Sequence, residues 1–99
     1  MHARIATFED VEPERVEQEA KAIRSMIEGE ARRPEGLEDV KGVLLLLDRE
    51  NGRSMAITVF GSEEGMQRGD AALNAMNPEQ GEGRRSSVQF YEVPLNYTG

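Results

Sequence analysis

The sequence predicts an α+β domain whose elements run β-α-β-β-α-β. Three observations carry this. Residues 43–60 read as a β-hairpin turning on Asn51-Gly52, helical periodicity stands on either side of it, and short alternating segments lie at the two ends. The first hairpin arm, Val43 to Leu47, is apolar at five consecutive positions. A strand with one buried face would alternate apolar and polar residues, so both faces of this one are expected to be covered.

Each element has its own justification. In 2–8, Ala3, Ile5 and Thr7 share one face, and His2, Arg4, Ala6 and Phe8 the other, as a strand requires. Asp10-Val11-Glu12-Pro13-Glu14 then suits a helix start. Proline is well placed in a first turn, and acids complement the positive end of the helix dipole. Val16, Ala20, Ile23 and Ile27 follow at helical spacing with Met26 beside them, which predicts an amphipathic helix over roughly 12–29. Arg33-Pro34-Glu35-Gly36 breaks it, and Leu37 is expected to tuck under the loop. The hairpin arms are placed at 41–48 and 53–60. Asn-Gly favours a two-residue turn, which would set Glu50 opposite Arg53 and Leu46 opposite Ile57. Ser62 reads as the N-cap of a second helix over 62–77, with Glu63 and Glu64 in its first turn and Met66, Leu73 and Met76 on its inner stripe. Asn77-Pro78 ends that helix, and 79–87 reads as a polar loop. A last strand begins near Val88, with Pro94–Gly99 as a tail.

Two right-handed crossovers around a hairpin give a four-stranded antiparallel sheet of ferredoxin-like βαββαβ topology, with both helices on one face. The other face would then be an exposed apolar surface, which usually marks an interface. The expected arrangement is a homodimer paired through that sheet face about a two-fold axis, closing a dimeric α/β barrel.

Pro34-Glu35-Gly36-Leu37, Val43 to Leu47, Asp48-Arg49-Glu50-Asn51-Gly52, and Ile57-Thr58-Val59-Phe60-Gly61-Ser62-Glu63-Glu64-Gly65-Met66 resemble the dimeric α+β barrel superfamily, and within it the antibiotic biosynthesis monooxygenase-like branch. The similarity runs over about 2–95, and its motifs are structural. It implies the same dimeric fold. Members include cofactor-independent oxygenases of aromatic polyketide-like compounds, haem-degrading enzymes, and proteins without assigned activity. Haem-degrading members carry a histidine and a tryptophan on or near the second helix. This chain has no tryptophan and no histidine in 62–77, which disfavours that branch. Family members often place tryptophan where Phe60 stands.

Composition narrows the function further. Ninety-nine residues suit one domain over 1–99. With no cysteine and one histidine, disulfides, thiolate centres and a conventional zinc or haem-iron site are not expected, nor is any cofactor. A net charge of −7 opposes general nucleic-acid binding. Arg32-Arg33 and Arg84-Arg85 are read as solvated loop charge, the alternative being an anion-contacting loop. No apolar signal core or membrane-length run occurs, so a cytoplasmic location is expected, without membrane association.

The residues that could carry chemistry are few. His2 is the only side chain whose ordinary pKa lies near neutrality, so it is the candidate base, unless it merely lies near a frayed terminus. Asn74 could hold an oxyanion or simply cap its helix. Tyr91 could present its hydroxyl or pack at the sheet margin. These three are the catalytic candidates. Arg4, Phe60, Gly65 and Gly69 are the ligand-binding candidates. The two glycines would either leave space for a ligand or let helix and sheet approach closely. The expected function is a homodimer that binds a small apolar or aromatic molecule between helices and sheet. The alternatives are a cofactor-independent monooxygenase acting on an aromatic or quinone-like compound, which needs the polar candidates to meet in one pocket, and a purely structural or interaction module without a cleft.

Overall fold

The computed structural model describes residues 1–28, 34–75 and 84–97. Its elements are β1 (His2–Glu9), α1 (Pro13–Glu28), β2 (Val40–Asp48), β3 (Arg53–Phe60), α2 (Glu63–Ala75) and β4 (Arg84–Glu92). The strands form one sheet in the order β2-β3-β1-β4, with every neighbouring pair antiparallel. This is the ferredoxin-like βαββαβ fold. Among the described residues, no helix is long and apolar enough to cross a membrane.

The two faces of the sheet differ in what covers them. Arg4 and Ala6 on β1 are buried, and Arg4 bonds to α2, so this is the helix-bearing side. The strand register adds Ala56, Thr58 and Phe60 of β3 and Val43 and Leu45 of β2 to that side. The core sits at the α2 end, where Leu37, Val40, Phe60 and Met66 pack with Val43, Ala72 and Leu73 around them. Leu37 is buried under its loop, as its place after the Pro34–Gly36 breaker predicts.

The open side carries Ile5, Leu44, Leu46, Met55, Ile57 and Val59, with Tyr91 on β4. Leu44 is 56% exposed, Leu46 41% and Tyr91 49%. The continuous apolar run in β2 therefore divides between the two sides, odd positions toward α1 and even positions toward the open face.

The hairpin register departs from the Asn-Gly expectation. Asp48 lies opposite Arg53 and Leu46 opposite Met55, so four residues, 49–52, make the connection rather than two. The cause is local. The Asp48 carboxylate accepts from the Asn51 backbone N–H at 3.2 Å and from Asn51 Nδ2 at 2.8 Å, which folds the loop onto its own shoulder. Within 49–52 only Gly52 takes positive φ, at 63°, so the paired left-handed residues of a type I′ turn are absent. The register moves by two residues, an even number, so every side chain keeps its face.

β4 also departs from expectation, beginning at Arg84 instead of near Val88. The segment 84–87, including Arg84-Arg85, was expected to be loop. It pairs with Thr7–Glu9 across an irregularity between Thr7 and Phe8. There Ser86 Oγ donates to the Thr7 carbonyl at 3.2 Å and to Glu9 Oε2 at 3.1 Å. An edge strand accommodates such polar residues because one side of it meets water. Arg84 pairs with Asp10 at 3.6 Å. Arg32-Arg33, Met76, Asn77-Pro78 and most of the expected 79–87 loop lie outside the described residues.

Both helices start as their sequences dictate. Ser62 Oγ accepts from the Gly65 N–H at 3.0 Å, which is the N-cap bond. Asp39 strengthens it from the neighbouring loop, its Oδ2 accepting from both Ser62 N and Ser62 Oγ at 2.9 Å. At α1, the Glu12 carbonyl accepts from Arg15 and Val16. Val16 is buried, but further along the same stripe Ile23 is half-buried, Ala20 is exposed and Ile27 is 44% exposed. The second half of α1 thus stands off from the sheet.

Candidate functional site

That separation is the origin of the candidate site. Ala20, Ile23 and Ile27 of α1 face Val43 and Leu45 of β2 across a cavity of about 420 Å³, with Arg24 and Glu28 also lining it. It is a groove open to solvent, aliphatic where Ile23 faces Val43 and Leu45 and charged at its rim through Arg24 and Glu28. Helical spacing supplies one wall and strand alternation the other. The sequence shows both stripes but not the gap between them.

The residues singled out from the sequence fall into three places. Arg4 and Asn74 come together under α2. Arg4 has 4% exposure; its Nε donates to Asp70 Oδ1 at 2.8 Å and its Nη2 to Asn74 Oδ1 at 3.2 Å. Arg85 Nη1 donates to the same Asn74 oxygen at 2.6 Å. Asn74 therefore has its acceptor engaged by two guanidinium groups, one from β1 and one from β4. Asp70 is not among the residues singled out from the sequence, and Arg85, expected as solvated loop charge, instead bonds to Asn74. The signal for Asp70 is chemical: an arginine on a strand face turned toward a helix needs a carboxylate partner.

Phe60, Gly65 and Gly69 form the second place. Phe60 is completely buried. A Cβ built on Gly69 would overlap the Cε1–Cζ edge of the Phe60 ring, and one built on Gly65 would sit 2.6 Å from Asp39 Cβ. The space beside both glycines is occupied by the protein's own side chains, so they serve close approach of α2 to the sheet.

The third place is the sheet itself. His2 pairs with Phe60 and Glu92 at the start of β1, half-buried on the helix-bearing side. Tyr91 pairs with Ala3 on the opposite side, and its hydroxyl donates to Gln89 Oε1 at 3.2 Å. His2, Asn74 and Tyr91 thus do not surround one space.

Electrostatic perturbation is concentrated in the scaffold. The Ser62 hydroxyl holds the Asp39 carboxyl below its ordinary range, aided by the Ser62 N–H. Asn51 does the same for Asp48 through its side chain and backbone. Arg53, by hydrogen bond, lowers Glu9, with Ser86 contributing. Among the described residues, no three of His, Cys, Asp or Glu gather around a point that would hold a metal ion.

Comparison with known proteins gives a fold assignment. No protein-family model and no curated protein matches the sequence. Among solved structures, the chain is similar to a substituted form of MhuD with two manganese protoporphyrin IX molecules bound per active site, at 20% identity and TM-score 0.60, covering all of both chains. It is similar to a dimeric ferredoxin-like protein from an uncultured marine organism, at 11% identity and TM-score 0.56, covering 99% of this chain and 98% of that one. It is also similar to a protein named as an antibiotic biosynthesis monooxygenase from Chloroflexus aurantiacus J-10-fl, at 14% identity and TM-score 0.52, covering 99% and 96%. With its β2-β3-β1-β4 sheet and two helices on one side, the chain shares the ferredoxin-like fold of these solved structures.

Proposed function

We propose that the protein is a homodimer that binds a small apolar or aromatic molecule between α1 and β2, pairing through the open face of its sheet. The observation that carries the binding reading is the open groove of about 420 Å³, with an aliphatic floor and a charged rim, where α1 stands off from Val43 and Leu45. A helix that leaves Ile27 nearly half exposed above such a groove gains burial when an apolar ligand fills it. The dimer reading rests on the exposed row of Leu44 and Leu46 on the face without helices, and a fold relative described as dimeric supports it.

The porphyrin of the MhuD structure is not carried over. α2 holds no histidine, and the single histidine of the chain, His2, lies at the start of β1. Oxygenase chemistry is also less well supported than binding. It calls for His2, Asn74, Tyr91 or Arg4 to converge on one enclosed pocket; Arg4 and Asn74 meet under α2, but they bond to each other there, and Tyr91 stands on the other side of the sheet.

Two measurements test this reading. Sedimentation should give twice the 11.0 kDa chain mass. Leu46→Glu should give a folded monomer, whereas Leu45→Glu, one residue along but on the α1 side, should disrupt the monomer itself. A dimeric Leu46→Glu protein would remove the sheet-face interface. For the cavity, the probe is anilinonaphthalene sulfonate. Wild-type protein should bind it saturably, and Ala20→Trp, which fills the cavity from an exposed position on α1, should abolish that binding with the circular dichroism unchanged. Equal dye binding by the two proteins would refute the cavity as the site.

A further inference from the structure

We propose that Asn51 is a site of spontaneous self-modification: the backbone nitrogen of Gly52 converts its side-chain amide to a carboxylate, and Asp48 holds that reaction back. The reaction needs no ligand and no partner chain.

Sequence and exposure select the residue. The chain has four asparagines, and Gly52, Ala75, Pro78 and Tyr97 follow them. A backbone nitrogen that closes on the preceding asparagine Cγ forms a five-membered ring, which crowds the side chain of its own residue. Glycine has none to crowd. Proline has no N–H to give up. Asn51 is exposed in the 49–52 loop, whereas Asn74 lies within α2. The flank of Gly52 is open as well. Among the described residues, a Cβ built there would meet only the Val11 carbonyl oxygen, at 3.7 Å.

The chemistry balances with water as the one co-reactant. The Gly52 nitrogen loses its proton and attacks Asn51 Cγ. A Cγ–N bond forms, the Cγ–Nδ2 bond breaks, and Nδ2 leaves as ammonia with the Gly52 proton. Water then opens the cyclic imide at one of its two carbonyls. Opening at Cγ gives aspartate. Opening at the backbone carbonyl of residue 51 gives isoaspartate, in which the main chain runs through Cβ. Water enters, ammonia leaves, and nothing is oxidised or reduced.

For the attack, Asn51 Cγ must swing onto the Gly52 nitrogen. Asp48 opposes this movement. Its Oδ2 accepts from Asn51 Nδ2 at 2.8 Å and its Oδ1 from the Asn51 N–H at 3.2 Å, so backbone and side chain are held together. Asp48 is itself fixed at the end of β2, opposite Arg53. The product undoes the contact that restrained it. The Nδ2 donor is gone, and a second carboxylate faces Asp48 at close range, where like charges repel. The same loop ties the hairpin to the start of α1. The buried Val11 donates its N–H to the Gly52 carbonyl at 2.9 Å, and Arg49 pairs with Glu17. Isoaspartate adds a backbone carbon just before Gly52, so conversion shifts that carbonyl away from Val11.

The test ages the full chain at mildly alkaline pH and follows each asparagine by peptide mass spectrometry, with isoaspartyl methyltransferase as the probe for isoaspartate. Asn51 should convert at least about tenfold faster than Asn96, which is also exposed but precedes tyrosine. Unfolding in urea should speed Asn51 at least about threefold, the effect of a charge-assisted hydrogen bond discounted for its exposure. Asp48→Ala, with circular dichroism unchanged, should bring the folded protein to the urea rate. Asp48→Asn, which keeps one acceptor oxygen, should fall between. Amide exchange at Val11 should rise in aged wild type and not in an aged Asn51→Gln control. Conversion of Asn51 no faster than that of Asn96 overturns the site. Folded wild type as fast as the urea-unfolded chain, or both Asp48 variants as slow as wild type, overturns the restraint. Unchanged Val11 exchange after conversion overturns the link to α1.

Discussion

Gly69 is the position where the packing of α2 on the sheet can be tested most directly. A methyl group there would overlap the Cε1–Cζ edge of the Phe60 ring. Carbon atoms in contact sit about 3.5–4.0 Å apart, so the ring would have to retreat by more than about 1 Å. Phe60 is completely buried, with Leu37, Val40 and Met66 packed around it, so no free space receives that movement. Overpacking of this kind costs about 1–3 kcal/mol, and the upper end applies to a ring held on all sides. Against it stands the gain of about 1 kcal/mol when alanine replaces glycine inside a helix. Gly69→Ala should therefore destabilise the protein by about 2 kcal/mol net, a loss of about 1–2 M in urea midpoint for a chain of this size. Because a dimer unfolds in a concentration-dependent way, wild type and variant must be compared at one protein concentration. Phe60→Leu destabilises on its own by opening a cavity, yet in the Gly69→Ala background its cost should nearly vanish, giving a strong coupling in the double-mutant cycle. A Gly69→Ala protein at least as stable as wild type would show that the ring does not press on the helix, and that the glycine leaves space for something other than Phe60.

Other changes separate the remaining interactions. Asp70→Ala should cost about 2–3 kcal/mol, because it removes the carboxylate paired with the buried Arg4 guanidinium. Asn74→Ala removes only a neutral acceptor and should cost about 1 kcal/mol; urea titrations showing the reverse order would misassign the network. The carboxyls of Asp39, Asp48 and Glu9 all sit below their ordinary values in the folded protein. Their contribution to stability is therefore complete above the ordinary carboxylate range and is lost as pH falls through the lowered folded-state values. Melting temperature should be flat near neutrality and drop on the acid side. Asp39→Asn should lower the neutral plateau and make the acid-side drop shallower, and an unchanged acid limb would exclude the Asp39–Ser62 bonds as its source.

How much of this was legible in the sequence depends on the range of the forces involved. The Ser62 cap, the helix stripes and the two-sided apolar run of β2 are short-range patterns, and they gave the element order and the sheet. The hairpin register was misread because Asn51-Gly52 is a strong local turn signal, while the competing Asp48 carboxylate wins only through its own geometry. β4 was placed four residues late because Arg84-Arg85-Ser86-Ser87 has no apolar alternation. Its pairing comes from β1 across the sheet and from the Ser86 hydroxyl at the irregularity. For the site, the stripe Ala20-Ile23-Ile27 and the alternation Val43-Leu45 were both visible, but their separation is a property of how α1 lies on the sheet. The polar candidates were chosen for residue type, and type does not say on which side of a sheet Tyr91 will stand.

One strand joins the two proposed activities, and this gives a final prediction. β2 is an edge strand whose odd positions, Val43 and Leu45, wall the cavity and whose even positions, Leu44 and Leu46, face the open side. In a monomer its outer edge and its open face both meet solvent, so the cavity wall is less constrained than the inner strands β3 and β1. Dimerisation would cover Leu44 and Leu46 and hold that wall in place, so a ligand entering the cavity would no longer have to order it. The two equilibria are then linked, and the linkage must be reciprocal: whatever factor dimerisation adds to ligand affinity, ligand adds to dimer affinity. Couplings of this kind are typically about 1–3 kcal/mol, or about 5–150-fold. Anilinonaphthalene sulfonate should therefore bind at least fivefold more tightly to the dimer than to the Leu46→Glu monomer, and saturating dye should shift the sedimentation midpoint of wild type toward dimer by the same factor. Identical dye affinity in the two proteins, with the cavity confirmed as the site by Ala20→Trp, would mean that β2 is already rigid in the monomer and that its two rows act independently.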